Sequence, residues 1–368
     1  MSPVFDENSL KNYNKQFNYV DNSNNIFKYN CPQIFYKFCQ RSIMSQLQGL
    51  ALVGDVGGTN ARLSLVNLAD GSLSDTKVYS SVENESLEKV IVKFREETGA
   101  KFDSACIAIA TLLDGDYIKM TNNPWEFSIS QMKKNLGLKD LVFINDFTAM
   151  SMSTTAIPLD KMTKIGGDKI DPNAPKAIYG AGTGLGVGHL IKVNGKWIAL
   201  SSEGGHVDIA ATNSRQDEIV RVLRTKFDHV SGERLLSGQG LVNVYKAIAQ
   251  LNGHEIKDVE PCDVTAGAFA KDPCPDCKET IDVFCSLMGS FGGNLAIDLL
   301  TKGGVYIAGG IVPRFIDYFK NTDFRKQFEG KGRFKDTLKH IPVYVISNGD
   351  AGLLGAGAYI RQELGAEL

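Results

Sequence analysis

The sequence predicts a mixed α/β fold built from two related, β-rich halves, and three observations carry that prediction. A Gly-Thr pair recurs, with Gly58-Thr59 and Gly182-Thr183 standing 124 residues apart. Each pair is followed by an apolar strand and then by a hairpin turn, Asp70-Gly71 or Asn194-Gly195, again 124 residues apart. Continuous apolar runs such as Ala105-Cys106-Ile107-Ala108-Ile109-Ala110 alternate with helix-periodic segments, as in a sheet covered on both faces.

Taken in order, residues 1–46 stand apart from the rest. Eight asparagines fall there among Tyr, Phe and Lys without a steady period, so a disordered extension or upstream mis-start is expected, with Met44 opening the folded chain. Docking of its aromatic residues on the folded part is the alternative. Next comes Leu52-Val53-Gly54-Asp55-Val56-Gly57-Gly58-Thr59-Asn60, then Ala61-Arg62-Leu63-Ser64-Leu65-Val66. This reads as a hairpin whose tight glycine turn exposes backbone N–H groups, a nest suited to phosphate oxygens. Asp55, at its mouth, can face a phosphate-bound divalent cation directly or through water. By itself the motif is equally an ordinary Gly-Gly hairpin with an exposed carboxylate.

Lys77-Val78-Tyr79-Ser80 extends the hairpin to three antiparallel strands, and Leu87, Val90, Ile91 and Phe94 mark one face of a helix over 87–98. Ser128 or Ser130 can cap a short helix through Asn135 that Gly137 ends. Leu141-Val142-Phe143-Ile144 is another buried strand, running into Asn145-Asp146-Phe147-Thr148-Ala149. Functional groups in α/β sheets gather at such carboxyl ends. A carboxylate at 146 can take the proton of an attacking hydroxyl, with the Asn145 amide holding a second one; plain helix capping is the other reading.

The second copy, Gly180-Ala181-Gly182-Thr183-Gly184-Leu185-Gly186, contains no G-x-G-x-x-G, and no G-x-x-x-x-G-K-[ST] occurs in the chain. Two Gly-Thr turns on two halves suggest instead a nucleotide held between them. After the strand Lys196-Trp197-Ile198-Ala199-Leu200 comes Ser202-Glu203-Gly204-Gly205-His206-Val207-Asp208, with Glu233 further on in a turn. Singly, each is an ordinary ion-paired carboxylate or satisfied histidine. Together, convergent carboxylates and amides suit a neutral polyhydroxylated substrate, whose many hydroxyls need acceptors. His189, His229, His254 and His340 show no comparable setting.

A long helix from Thr280 to Leu300 should use Gly289, Gly292 and Gly293 for close packing. The strand Gly304-Val305-Tyr306-Ile307-Ala308 ends in Gly309-Gly310, a backbone either free to lie against a base or ribose or simply turning tightly before Pro313. Ile341-Pro342-Val343-Tyr344-Val345-Ile346 is the last strand, and a small-residue helix over 350–364 should return to the first domain.

At 368 residues, with 43% apolar and 22% charged residues, the chain can bury two cores. A net charge of −2 gives no electrostatic case for nucleic acid or for an anionic membrane. No stretch approaches the roughly 20 apolar residues of a membrane helix. The N-terminus lacks a secretory pattern, so the expected location is cytoplasmic. Seven cysteines fit reduced thiols. Cys274-Pro275-Asp276-Cys277 is a lone C-x-x-C; Cys262 and Cys285 would have to complete any zinc site, a spacing that argues against one.

Five motifs now stand in register: Asp55-Val56-Gly57-Gly58-Thr59-Asn60, Ile144-Asn145-Asp146-Phe147-Thr148, Gly180-Ala181-Gly182-Thr183-Gly184-Leu185-Gly186, Glu203-Gly204-Gly205-His206-Val207-Asp208 and Ile307-Ala308-Gly309-Gly310-Ile311-Val312-Pro313. In this order they resemble the bacterial-type glucokinases, most like the enterobacterial type, over residues 48–368. The resemblance implies two RNase H-like domains of the actin, sugar kinase and Hsp70 fold, with ATP in the cleft. It implies phosphorylation of the glucose 6-hydroxyl from ATP and Mg²⁺.

By position it implies Asp146 as base, with Asn145, Glu203, His206 and Glu233 on the sugar. Gly54, Asp55, Val56, Gly57, Gly58, Thr59, Asn60, Gly182, Thr183, Gly309 and Gly310 would meet nucleotide and phosphate, with Asp55 reaching Mg²⁺ through water. The expected domains are 47–156 plus 347–368 and 157–346, and the expected assembly a homodimer. One departure stands out: Thr111-Leu112-Leu113 replaces the proline turn usual in the family, which bears on the turn beside the sugar pocket. The cysteine-rich zinc motif of the other sugar-kinase branch is absent around His206. Two rivals from other classes are a catalytically idle sugar and nucleotide sensor, opposed by the intact Asp146, and a Hsp70- or actin-like ATPase, which would need a polymer- or peptide-binding region where no extra domain is visible. Acyl-phosphate kinases would not need the Glu203, His206, Glu233 cluster.

Overall fold

The computed structural model describes residues 18–20, 26–28, 47–111, 113–121 and 123–368. Within the first 46 residues it describes one antiparallel pair, β1 (Asn18–Val20) and β2 (Ile26–Lys28). The disordered extension, the start at Met44, and Cys31 and Cys39 otherwise fall outside the described residues. Gln48–Leu368 is a unit by itself.

Its first strands are β3 (Leu50–Val56), β4 (Asn60–Asn67), β5 (Leu73–Ser80), β6 (Ser104–Ile109), β7 (Tyr117–Lys119), β8 (Glu126–Ser128) and β9 (Asp140–Asn145). Then follow β10 (Thr163–Lys164), β11 (Lys176–Ala181), β12 (Leu185–Val193), β13 (Lys196–Leu200), β14 (Val305–Ala308) and β15 (Val343–Val345). One sheet has the order β5-β4-β3-β6-β9 and the other β10-β15-β14-β11-β12-β13. In each, a three-strand antiparallel meander is extended on its far side by two parallel strands, and in the second sheet β10 adds an antiparallel edge beside β15. β11 therefore stands in its sheet as β3 stands in the other. The 124-residue repeat is a repeat of topology.

Local chemistry sets the element ends as expected. Ser86 caps the helix Leu87–Thr98 by accepting from the Lys89 N–H at 3.2 Å, and Gly99 leaves it at φ 64°. Its four predicted apolar residues are buried. Ser128, rather than Ser130, caps the helix Ile129–Asn135. The β7–β8 hairpin was not anticipated, because three-residue strands are too short to show a period.

The helix Pro275–Asp298 corrects one exclusion: it reaches the length and mean hydropathy of a membrane span. It is a core helix, with most of that apolar stretch buried within the protein. A Cβ at Gly289 or Gly293 would stand 2.1 Å from the Phe324 carbonyl oxygen or 2.4 Å from that of Phe328. The close packing expected of these glycines is therefore present, against the helix Phe324–Glu329.

Two helices join the sheets. Asp146–Ala156 lies on β12, where a Cβ at Gly188 would meet the Ser151 hydroxyl at 2.5 Å. Ala351–Glu363 packs along Asp146–Ala156 and onto β3 and β6, the return expected of it. Its Gln362 accepts from the Trp197 N–H at 2.7 Å and donates to the Trp197 carbonyl at 2.8 Å, occupying the edge of β13 as a strand would.

A buried cation marks the end of Asp146–Ala156. Pro158 has no N–H to give the Thr154 carbonyl, and Lys176 Nζ supplies the missing donor at 3.0 Å. Lys176 is 7% exposed, with its ammonium 4.5 Å from the Trp197 ring centroid. Burial lowers its pKa to about 8, with the Lys192 charge adding to the shift. The unfolded chain holds that proton to about pH 10.4, so between those values the unfolded state binds more protons and stability rises with pH. Wild type should gain about 2–3 kcal/mol relative to Lys176→Met between pH 7 and pH 10. Denaturant melts at the two pH values measure this, and parallel stabilities would refute it.

Candidate active site

The first Gly-Thr turn joins β3 to β4. Gly57 N–H donates to the Asn60 carbonyl at 2.9 Å, which closes the turn. Among the described residues no hydrogen bond occupies the N–H of Gly58 or Thr59, and Thr59 is exposed. The second turn repeats this: Gly182 N–H donates to the Gly184 carbonyl at 2.8 Å, and Thr183 is exposed. A Cβ on Gly182 would meet nothing within 4 Å, so the backbone there is open.

Beside it, Gly309 sits at φ 85°, where a Cβ would stand 2.3 Å from the Ala181 carbonyl oxygen. That glycine serves the tight turn; Gly310, with nothing within 4 Å of a Cβ, is the open one. Gly54 and Val56 are placed differently from the rest of their motif. Gly54 lies inside β3, where a Cβ would be 2.8 Å from Ile107 Cδ1, and Val56 is buried in the core. They shape the strand that presents Asp55.

Asp55 is half-buried, and its Oδ2 lies 2.8 Å from where a Cβ of Gly352 would be, over the first turn of Ala351–Glu363. Burial raises its pKa, and the Arg62 charge partly offsets this. Arg62 faces Asp55 across the β3–β4 ladder and binds the Asp350 carboxylate and the Gly349 carbonyl. This clasp was not expected from the sequence; its partners lie 288 positions apart.

Asn145 and Asp146 stand where β9 becomes a helix. The Phe147 N–H donates to Asn145 Oδ1 and to Asp146 Oδ1, at 2.9 Å each. The cap is therefore present, and both side chains remain partly exposed. Burial raises the pKa of Asp146, the Phe147 N–H opposes it, and the charges of Asp55 and Glu203 raise it further. Carboxylates from two other motifs therefore act on Asp146.

Leu185, at the start of β12, gathers the remaining residues. Its N–H donates to Glu233 Oε2 at 2.8 Å. A Cβ on Gly205 would stand 1.9 Å from its carbonyl oxygen, and one on Gly232 3.3 Å from its side chain. One residue on, a Cβ at Gly186 would overlap the Phe147 ring. These glycines draw Glu203 and His206 (around the 3-10 turn Gly204–His206), Glu233 and Asp146 onto one short stretch of backbone. Gly232 N–H also donates to the Val207 carbonyl at 2.9 Å.

His229 corrects another expectation. Set aside in the sequence, its Nε2 lies 2.9 Å from the His206 carbonyl oxygen and its Nδ1 3.5 Å from Asp208, so it braces the His206 turn. Asn145 and Glu203 line one cavity of about 680 Å³, together with Thr111, Thr148 and β13. Thr111, where the family's proline is missing, ties its turn to the end of β7 through a 3.0 Å hydrogen bond with the Thr121 hydroxyl.

Among the described residues no three His, Cys, Asp or Glu side chains group to hold a metal. A single carboxylate, Asp55, beside a turn of open backbone has the chemistry for Mg²⁺ that arrives on a nucleotide and keeps most of its waters and phosphate oxygens.

The family model described as Glucokinase matches residues 52–363. The glucokinase of Yersinia pestis (strain Pestoides F) is 54% identical over 318 residues, covering 86% of this chain and 98% of that protein. The crystal structure of a glucokinase from an Antarctic psychrotroph superposes with a TM-score of 0.81 at 30% identity, over 85% of this chain and 99% of that one. A ROK family glucokinase from Streptomyces griseus, solved with glucose and AMPPNP, has a TM-score of 0.56 at 18% identity, over 85% of this chain and all of that one, a likeness of fold. That fold is the α/β fold of the actin-like ATPases.

Proposed function

The chain belongs to the glucokinase family, and from that premise we propose that Asp146 removes the proton of the glucose 6-hydroxyl as phosphate passes from Mg-ATP. The observation that supports it is the convergence on Asp146 of burial and of two further carboxylates, which raises its affinity for a proton. Phosphoryl transfer passes through a loose transition state, so the protein mainly positions its reactants and stabilises charge. Asn145, Glu203, His206 and Glu233 take the sugar hydroxyls. Gly58, Thr59 and Thr183 turn open N–H groups and hydroxyls toward the phosphates, and Gly182, with no side chain, leaves them room. Gly310 lies along the nucleotide. Asp55 meets the magnesium through water.

No observation favours an idle sensor: the acceptor cluster and the candidate base are both present. In this reading residues 47–156 with 347–368 form the smaller domain and 157–346 the larger, with the sugar closing the cleft and excluding water. Homodimerisation and a cytoplasmic location belong to the same proposal; five free cysteines among the described residues accord with the latter. Sedimentation of the purified chain at assay concentration tests the dimer, and a monomer there removes it.

Glu233→Gln separates sugar binding from chemistry. The amide keeps an acceptor for the Leu185 N–H and removes the charge offered to a hydroxyl. Hydrogen bonds to charged groups contribute about 1.5–3 kcal/mol, so the KM for glucose should rise about ten-fold or more with kcat within a few-fold. Unchanged KM and kcat take Glu233 out of the sugar site.

A further inference from the structure

The phosphoryl-transfer site makes no use of Cys274 and Cys277. Cys274 is the N-cap of the helix Pro275–Asp298, and Cys277 is its third residue. These are the two positions that exchange contacts in a capping box, so helix geometry makes their side chains neighbours. Cys277 Sγ and Cys274 Cβ both lie within 4 Å of a single point, the place a Cβ of Gly267 would take.

Both rest on Gly267 in the helix Pro261–Ala268, where a Cβ would stand 2.9 Å from Cys277 Sγ and 3.7 Å from Cys274 Cβ. The missing side chain is the room that the Cys277 sulfur occupies. The Cys274 N–H donates to the Gly267 carbonyl at 3.0 Å, holding the pair in place. Between them in sequence, Asp276 is 4% exposed and fixed by His254 Nδ1 and Asn252 Nδ2, each at 2.8 Å. The zinc alternative lapses, since no group of three ligands forms among the described residues and Cys285 is fully buried in the core.

We propose that Cys274 and Cys277 form a reversible dithiol–disulfide pair, oxidised by low-molecular-weight disulfides such as glutathione disulfide. Cys274 is half-buried and Cys277 is 6% exposed, so Cys274 meets the oxidant first. Its thiolate attacks one sulfur of the small disulfide; a Cys274–S–S–R bond forms and one RS⁻ leaves, taking the proton that Cys274 gave up. Cys277 then attacks the Cys274 sulfur, and a second RS⁻ leaves with the Cys277 proton. The protein gives up two electrons and two protons, and the small disulfide becomes two thiols.

Burial and the neighbouring Cys274 thiol push the Cys277 thiol up to about 12, which suits a resolving group that stays protonated until its partner has reacted. The ring so closed spans one helical turn. Cross-linking so short a loop removes little entropy from the unfolded chain, so the bond adds little stability and is readily reduced.

The test uses the full chain in a metal chelator, equilibrated with excess glutathione disulfide, then alkylated and mapped by peptide mass spectrometry. The expected product links Cys274 to Cys277 and is reversed by dithiothreitol. Cys277→Ser should instead hold a lasting glutathione adduct on Cys274, while its reduced form phosphorylates glucose at the wild-type rate. Full alkylation of both cysteines after oxidation, or no adduct on Cys274 in the variant, overturns the proposal.

Discussion

Asp146→Asn should lower kcat for glucose phosphorylation by about 10²–10⁴-fold while glucose affinity stays within a few-fold. In barrier terms that is about 3–5 kcal/mol. The asparagine keeps the acceptor that caps Phe147 N–H and loses only the proton-accepting charge. Stability works in favour of the experiment. Asp146 has a raised pKa in the fold, chiefly through burial, so its ionised form is disfavoured there relative to the unfolded chain. Stability from this group falls as pH rises past the unfolded carboxylate value, about 3.9. Neutralising it should leave the variant at least as stable as wild type at pH 7, so lost turnover cannot come from lost fold.

The same shift predicts the pH profile. A general base must be ionised, so kcat/KM falls as pH drops through its pKa. The raised value of Asp146 moves that acid limb above the ordinary carboxylate range, and the limb should vanish from the residual activity of Asp146→Asn. Stopped-flow or coupled assays over pH 4–8, with glucose binding by calorimetry, read both effects. Near-normal turnover in the variant would remove Asp146 as the base. Glucose binding by wild type without turnover would bring back the idle sensor.

What was legible follows from how local each signal is. The Gly-Thr turns, the Asn-Gly hairpin and the helix Leu87–Thr98 are written in adjacent residues, and the structure contains them all. Asn194 and Gly195 both take positive φ, 50° and 82°, as an Asn-Gly hairpin turn requires. Long-range partners carry no such signal. Nothing near Arg62 announces Asp350, and nothing near His229 announces the His206 carbonyl; only the fold brings them together. Motif membership also does not separate the reasons for a glycine. Gly54 and Gly309 sit in the right motifs, yet neighbouring atoms already account for their missing side chains, Ile107 and Leu63 in one case and Ala181 in the other. The spacing of Cys274 and Cys277 was visible, but their contact depended on knowing which residue begins the helix.

Gly355→Ala should destabilise the fold by about 3 kcal/mol or more, although intrinsic helix propensity alone favours alanine by about 1 kcal/mol. The decision lies in what the new methyl meets. A Cβ at Gly355 would stand 1.7 Å from the Ala149 carbonyl oxygen and 2.6 Å from its carbon. These are backbone atoms of the helix Asp146–Ala156 and no side-chain rotation can move them, so the two helices must part. Gly357→Ala is the control on the same helix: its Cβ would meet Val66 Cγ2 at 3.0 Å, a side chain that can yield. There propensity and a mild contact should nearly cancel. The crossing also aligns the site, since Asp146 opens one helix and Asp55 lies over the first turn of the other. Parting them should therefore cost turnover even at temperatures where Gly355→Ala remains folded. Thermal melts and kcat at 15 °C for both variants separate the two effects. A Gly355→Ala protein matching Gly357→Ala in both would mean that this helix crossing neither holds the fold together nor sets the distance between the two carboxylates.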